Sequence, residues 1–142
     1  MSPELIFVDT NVFLRYLTND VPYQADAFER LLRRAAAGEI SLLTSAVALA
    51  EIVWTLESYY HLEKNTVQKH ILAILNTPGL DVPEGELVLQ AIIGYVDKNV
   101  DFIDAFHAAW MTNQGVRIAC TLDQKHFSRF EDITVIAPDA LT

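Results

Sequence analysis

Short runs of consecutive apolar residues alternate along the chain with longer segments in which apolar residues recur at helical spacing. Such runs are typical of strands in a parallel sheet, whereas the spaced pattern is typical of helices with one buried face. Because Leu5–Val8 does not alternate with polar residues, we expect it to be a fully buried strand. The runs predict strands over residues 5–8, 40–43, 80–82, 117–122 and 133–136, of which 80–82 is the shortest.

Capping and helix-breaking residues delimit the segments with helical spacing. Pro22 lies near a helix start, and Gly38 and Gly115 follow helix ends. Asp101 is placed to cap the last long helix. The predicted helices cover residues 12–18, 23–37, 46–60, 63–76, 84–99 and 102–114.

The alternation of strands and helices indicates the fold class. Strands separated by helices are joined by right-handed crossovers, which produce a parallel sheet covered by helices on both faces. We therefore predict an α/β fold with a central, mostly parallel sheet of four to five strands. The sequence contains no linker, repeat or second apolar core, so we expect residues 1–142 to form a single domain. In such sheets the ligand site lies beyond the carboxyl ends of the strands.

Composition and charge narrow the class of protein. The chain has 142 residues, of which 51% are hydrophobic, and this is enough to bury a core without disulfides or a structural metal. Ten basic and nineteen acidic residues give a net charge of −9, which argues against a broad electrostatic surface for nucleic acid or an anionic membrane. The lone cysteine, Cys120, lies in an apolar run and predicts a buried thiol in a reducing compartment.

The sequence predicts neither a targeting segment nor a membrane segment. The N-terminus, Met-Ser-Pro-Glu, has an acid where a signal peptide has basic residues. No apolar stretch approaches the roughly 20 residues that a membrane span needs. We therefore expect the protein to be cytoplasmic and to make no membrane contact.

Four acidic residues stand in apolar surroundings, whereas most of the other acids lie on polar helix faces. Asp9 and Asp123 each directly follow an apolar strand. Glu51 is the only ionisable residue within the segment 40–56, and Asp104 lies in a similarly apolar helix. A carboxylate on an apolar helix is costly unless it is paired or bound to a metal ion. These four residues are therefore the candidates for chemistry.

Each of these acids also has an explanation that needs no metal ion. Asp9 is placed to cap the following helix, and Asp123 to form a turn. Glu51 could pair with an arginine, while Asp104 could be the third residue of a capping box that begins at Asp101. One shared cause accounts for all four acids at once: a hard divalent cation, Mg²⁺ or Mn²⁺, bound by convergent oxygen ligands. Such a site suits phosphodiester hydrolysis, in which metal ions activate water and stabilise charge on the phosphate.

Four segments of the sequence resemble the motifs of PIN-domain nucleases and follow the family's order. They are Phe7–Thr18, Ala50–Glu57, Asp101–Ala109 and Thr121–Phe127. The resemblance extends to the VapC-type toxins and spans nearly the whole chain. It implies a three-layer α/β/α fold, Mg²⁺- or Mn²⁺-dependent endoribonuclease activity on RNA, a homodimer, and inhibition by a small VapB-like antitoxin protein.

The resemblance also implies roles for individual residues. Asn11 matches the polar residue that orients the first aspartate, and Thr121 matches the hydroxyl that precedes the last. In the final motif three residues separate Asp123 from Phe127, where the family often has two, so the conformation of this loop stays open. The acidic quartet of the family, which holds the metal and supports catalysis, is matched by Asp9, Glu51, Asp104 and Asp123.

Several residues near these motifs have more than one interpretation. Asp101 has no clear role in the family pattern, and we expect it to cap its helix rather than bind the metal. His107 lies one turn beyond Asp104 and could contact substrate or act as an acid, but a packed helix histidine is the simpler interpretation. The basic side chains close to the motifs are either contacts to RNA phosphates or solvated surface: Arg15, Lys98, Lys125, His126 and Arg129.

Two other functions compete with the nuclease interpretation. In a haloacid-dehalogenase-like phosphohydrolase Asp9 would be a covalent nucleophile, but that family has a second acid where this chain has Asn11. Glu51 would then be unexplained. A non-catalytic binding module would need none of the four acids. The four acids therefore favour a metal-dependent endoribonuclease, and the resemblance implies that it is the toxin of a toxin–antitoxin pair.

Overall fold

A computed structural model describes residues 4–122 and 124–142, and the backbone forms two compact units, Met1–Gly85 and Glu86–Thr142. The first unit contains strands β1 (Leu5–Phe7), β2 (Ser41–Leu43) and β3 (Leu80–Asp81), and helices α1 (Thr10–Thr18), α2 (Pro22–Ala36), α3 (Ala46–Ser58) and α4 (Lys64–Leu75). Helix α5 (Gly85–Asp97) begins at the boundary. The second unit continues with α6 (Phe102–Gln114), β4 (Ile118–Cys120), a 3₁₀ turn (Phe127–Arg129), β5 (Thr134–Ile136) and a final 3₁₀ turn (Pro138–Leu141).

The sheet of the first unit has three parallel strands in the order β1-β2-β3. Leu5 pairs with Ser41, and Leu42 pairs with Leu80, so β2 is the central strand. Helices α1 and α2 connect β1 to β2, while α3 and α4 connect β2 to β3. Each connection is thus a helical crossover, as parallel strands require. This arrangement brings the carboxyl ends of the three strands to one edge.

Aromatic and glycine contacts hold the helices of the first unit in place. The ring of Phe28 on α2 packs edge-on against Phe13 and Tyr16 of α1, with centroid distances of 5.4 and 5.5 Å. Gly79, just before β3, has φ of +79°, and a Cβ there would lie 2.4 Å from the carbonyl oxygen of Ala35. Only glycine accepts both the backbone conformation and the close approach to α2.

The second unit has its own small sheet and core. Strands β4 and β5 are parallel, with Ala119 opposite Val135. Ala108 and Met111 of α6 pack with Ala119 and Ile133 in a buried cluster. Three partly buried hydrophobic side chains pack against this cluster: Phe127, Phe130 and Val135.

The structure confirms the predicted fold class and corrects several details. The chain is α/β with parallel strands, and every predicted helix and strand is present with similar bounds. Instead of one sheet of four to five strands, the described residues form a three-stranded and a separate two-stranded sheet. The three-layer arrangement and the single domain over 1–142 stay predictions.

Two predictions about burial are wrong. Leu5 and Phe7 are mostly exposed, and only Val8 at the end of this strand is buried. Leu5 and Phe7 are two residues apart and therefore share one face of β1, and the described residues leave this face largely uncovered. Cys120, predicted to be buried, is an exposed free thiol.

Among the helices of the described residues, none combines the length and hydrophobicity needed to cross a bilayer.

Candidate functional site

Asp9 lies at the carboxyl edge of the three-stranded sheet. Val8 still pairs with β2 through its amide, which donates to Leu43 O at 2.8 Å, and the Thr44 hydroxyl donates to Val8 O at 2.9 Å. Asp9 then occupies the N-cap position of α1, and its Oδ1 accepts a hydrogen bond from the Thr10 amide at 2.8 Å. The capping explanation for Asp9 is therefore correct, and it leaves the second carboxylate oxygen available to a ligand.

Glu51 projects from the helix that follows the second strand. Ser45 caps α3 by accepting a hydrogen bond from the Ala48 amide at 3.1 Å, and the buried Thr10 hydroxyl lies 3.5 Å from Ala48 O. The start of α1 therefore packs on the first turn of α3, one turn before Glu51. Glu51 itself is exposed, which corrects the expectation of a carboxylate inside an apolar helix. No arginine in the described part of the chain pairs with it.

A second group of ionisable side chains lies in the second unit, where α6 begins. The Nδ1 atom of His126 is 2.8 Å from Asp104 Oδ2 and 3.5 Å from Asp101 Oδ2. One ligand atom from each of the three residues lies within 4.8 Å of the others. The side chains of His126, Asp104 and Asp101 are 17%, 25% and 72% exposed, so the group opens to solvent on the Asp101 side. We call these three residues the α6 cluster.

The backbone next to the α6 cluster is tied down by a further side chain. Arg129, one turn beyond His126, donates from its guanidinium to the carbonyl oxygens of Lys98 and Asn99. Asn99 lies in the connection between α5 and α6, two residues before Asp101. Its backbone is left-handed, with φ of 51°. Arg129 therefore holds the 3₁₀ turn that follows His126 against the segment that leads into α6.

Asp101 occupies the N-cap position of α6, as predicted, but its carboxylate makes no capping hydrogen bond. The carboxylate is directed to His126 instead. No capping-box hydrogen bond joins Asp101 and Asp104 in the described residues, so this explanation for Asp104 is wrong. Both acids are candidate ligands, because two carboxylates and an imidazole form a donor set that divalent metal ions accept.

Two of the predicted basic contacts are already occupied by protein groups. Arg15 forms an exposed ion pair with Asp20, with an N–O distance of 2.8 Å, and Tyr60 and Thr18 donate hydrogen bonds to the same carboxylate. Although desolvation, the largest single cause, raises the pKa of Asp20, the hydrogen bonds from Thr18 and Tyr60 and the charge of Arg15 together hold this pKa below its ordinary value. Arg129 is likewise engaged by backbone carbonyls.

The structure places the predicted site residues in two groups. Asp9, Asn11 and Glu51 belong to the first unit, whereas Asp104 and Thr121 belong to the second. Asp123 lies outside the described residues. Asn11 is exposed and lines the α1–α2 groove, Thr121 is half-buried next to the end of β4, and His107 is exposed rather than packed.

His126 is the residue whose role the sequence did not reveal. From the sequence it was a candidate only for contact with RNA phosphates. Its contact with Asp104 spans a loop, and periodicity within helices carries no information about such contacts. The one available signal was a histidine three residues after a predicted metal-binding aspartate, Asp123.

Comparison with known proteins identifies one family. The family model described as PIN domain matches residues 6–133, which is most of the chain and spans both units. No match to a curated protein was found.

Proposed function

The chain belongs to the PIN domain family, and we propose on this premise that it is a metal-dependent endoribonuclease. PIN domains are in general nucleases. The observation that carries the proposal is the α6 cluster, in which two carboxylates and an imidazole converge within 4.8 Å. The two carboxylates repel each other, so a bound cation would stabilise this arrangement.

The proposed chemistry assigns a role to each acid. Asp9, Glu51, Asp104 and Asp123 are the residues that would hold Mg²⁺ or Mn²⁺, and Asn11 and Thr121 would orient the first and last of these carboxylates. The ion, when bound, supplies Lewis-acid stabilisation of phosphate charge and lowers the pKa of water. The bound ion would neutralise part of the acidic charge at the site, so a protein of net charge −9 could act on a polyanion.

The test is cleavage of mixed RNA in the presence and absence of metal. Excess EDTA is expected to abolish cleavage, and added Mn²⁺ is expected to restore it. The matched control is Asp104→Asn purified in the same way, which removes one charge while keeping the side chain's size. Cleavage that persists in chelator, or equally in the variant, would exclude the metal mechanism. A trapped phospho-aspartate at Asp9 would instead favour a phosphohydrolase.

Within this proposal the protein is the cytoplasmic toxin of a toxin–antitoxin pair. A groove of about 630 Å³ between α1 and α2 supports a peptide partner, because it is lined by Val12, Tyr23, Phe28 and Leu31 beside Asn11. An antitoxin segment with arginine would also be attracted by the acidic surface.

The proposed homodimer has its own support in α3. Val47 and Trp54, on the same helix face as Glu51, are exposed large apolar side chains. Adjacent exposed apolar side chains mark surfaces that contact protein. Light scattering of the purified chain, alone and after co-expression with the short open reading frame beside its gene, tests both partners. A monomer in the first measurement and no complex in the second would contradict them.

A further inference from the structure

We propose that the segment at the end of α3 contacts single-stranded RNA, with Tyr59 stacking on an unpaired base and His61 donating a hydrogen bond to a neighbouring phosphate. The inference rests on the proposed ribonuclease function and deepens it, because it requires the substrate to be unpaired near the site of cleavage. Three features of this segment carry it: an exposed aromatic ring, a polar network behind the ring, and an unusual backbone conformation at His61.

The ring of Tyr59 is available to a ligand. Tyr59 is 72% exposed, and its ring meets that of Tyr60 edge-on, with a centroid distance of 4.9 Å and 77° between the planes. This packing leaves at least one face of the Tyr59 ring free of Tyr60. Unstacked RNA bases bind to open aromatic faces of this kind. The neighbours Ser58 and His61 are exposed polar residues, so the ring does not belong to a continuous apolar segment of the sort that protein partners cover.

Hydrogen bonds anchor Tyr60, on which Tyr59 packs. The Tyr60 hydroxyl donates to Asp20 Oδ2 at 3.2 Å. The same carboxylate is held by Arg15 at 2.8 Å and by the Thr18 hydroxyl at 3.0 Å. The end of α3 is thereby tied to the end of α1, and the ring pair is positioned before a ligand arrives. Such preorganisation lowers the entropy that binding costs.

The backbone of His61 is an independent sign of a role in binding. Among the described residues, positive φ at residues other than glycine occurs at Asn19, His61 and Asn99. Asparagine tolerates this left-handed conformation because its short side chain hydrogen-bonds locally, whereas other side chains place Cβ too close to the following carbonyl. His61, with φ of 56°, is exposed, and no hydrogen bond or ion pair joins its imidazole to another described residue. A histidine is therefore kept where glycine would relieve strain.

The segment lies in the same unit as two of the candidate acids, Asp9 and Glu51. Tyr59 follows Glu51 by a little over two turns of α3, which is about 12 Å along the helix and about 80° around it. Trp54 is about 140° away from Tyr59, so Tyr59 lies outside the helix face proposed for the homodimer. A single strand with one phosphate at Glu51 therefore reaches Tyr59 within a few nucleotides.

The test uses single-stranded oligoribonucleotides in which 2-aminopurine, a fluorescent base whose emission falls when it stacks, is placed at successive positions. We expect the full wild-type chain in EDTA to quench this emission, and the same strand annealed to its complement to show no quenching, because a paired base cannot reach the ring. In Tyr59→Ala the quenching should disappear and the affinity should fall roughly tenfold, whereas Tyr59→Phe should keep both. The control is Tyr23→Ala, an equally exposed tyrosine on α2, which should change neither.

A second variant separates binding from folding. Because glycine adopts positive φ without strain, His61→Gly should melt at or above the temperature of the wild type, yet bind the probe several-fold more weakly. His61→Asn, which accepts the same backbone and keeps an N–H donor, should retain most of the affinity. A lower melting temperature with unchanged affinity in His61→Gly would show that His61 is structural.

Absence of quenching in the wild type, or unchanged affinity in Tyr59→Ala, would overturn the proposal. Light scattering in which Tyr59→Ala converts a dimer to a monomer, with the RNA affinity unchanged, would assign the ring to a protein contact instead. Failure of the nuclease function is a separate result. Quenching without metal-dependent cleavage would contradict only the nuclease function, whereas cleavage without quenching would contradict only the role of Tyr59.

Discussion

The two units hold their candidate acids in different ways. In the first, Asp9 accepts a hydrogen bond from the amide of the next residue, Thr10, so the backbone at the end of β1 orients the carboxylate. In the second, Asp104 is contacted by His126, a side chain from a segment beyond β4. The position of Asp9 follows from local chain geometry, whereas the position of Asp104 depends on a tertiary contact.

This difference indicates which substitutions would disturb the candidate acids of each unit. A substitution that leaves β1 and α1 intact leaves the Asp9 carboxylate in place. The α6 cluster, in contrast, depends on two side chains near the first 3₁₀ turn. His126 contacts Asp104, and Arg129 donates to the backbone before α6, so a single substitution of either residue removes one of these contacts.

The largest effect is expected from removing either acid's charge. Both Asp9→Asn and Asp104→Asn should reduce single-turnover RNA cleavage at saturating Mn²⁺ by at least ~100-fold, or ~2.7 kcal/mol of transition-state stabilisation. Asparagine caps helices about as well as aspartate, so Asp9→Asn should retain the melting temperature of the metal-free wild type. A marked loss of that temperature would show that Asp9 is structural. Activity near wild type in either variant would remove that acid from the site.

The next comparison substitutes one glycine of each unit with alanine and compares the change in stability. Gly79→Ala should destabilise the protein by about 2 kcal/mol, because the new Cβ meets Ala35 O at 2.4 Å and φ is positive. Gly94→Ala, in the middle of α5, should be neutral or stabilising by up to about 1 kcal/mol, since its Cβ makes only an ordinary contact of 3.4 Å with Phe130. Urea unfolding of both variants gives the comparison. Equal destabilisation would contradict it.

A smaller effect is expected from Arg129. Arg129→Gln loses charged hydrogen bonds to the carbonyls of Lys98 and Asn99, which should lower stability by about 1 kcal/mol and weaken Mn²⁺ binding. The matched control in the first unit is Arg15→Gln, which breaks an exposed ion pair and should change Mn²⁺ binding little. Calorimetric titration with Mn²⁺ measures both. Equal losses in the two variants would show that Arg129 has no special role in the second unit.

The smallest effect concerns pH and the first unit. Because the pKa of Asp20 is lowered in the folded protein, its contribution to stability is present above the ordinary value of 3.8 and is lost as the pH falls through the lowered pKa. Asp20→Asn should therefore melt slightly below wild type at neutral pH, and the difference should vanish in acid. Melting curves from neutral pH to below 3.8 check this. A difference that grows in acid would have the wrong sign.

The element boundaries could be predicted from sequence because they depend on local signals. Helical spacing, the proline at the start of α2 and the glycine after α6 act within a few residues, and the structure places these helices accordingly. The acidic positions at strand ends were likewise visible, since Asp9 directly follows an apolar run.

Burial and partners could not be predicted in the same way. Glu51 and Val47 share a helix face that looks like a core face in sequence but is exposed, because periodicity defines a face without saying what covers it. The contact of His126 with Asp104 depends on how a loop folds back onto α6. The direction of the Asp101 carboxylate was missed for the same reason: an N-cap position does not establish where its side chain hydrogen bonds.

The strand pairing also has a consequence for how the chain folds. In the first unit the register joins Leu5 to Ser41 and Leu42 to Leu80, so each pair closes a long loop containing two helices. In the second unit Ile118 pairs with Thr134 across a much shorter loop. Pairings distant in sequence slow folding, because loop closure costs entropy before any contact forms. On a ribosome β1 must therefore wait, with its backbone hydrogen bonds unmade, until the whole of α1 and α2 and then β2 have emerged.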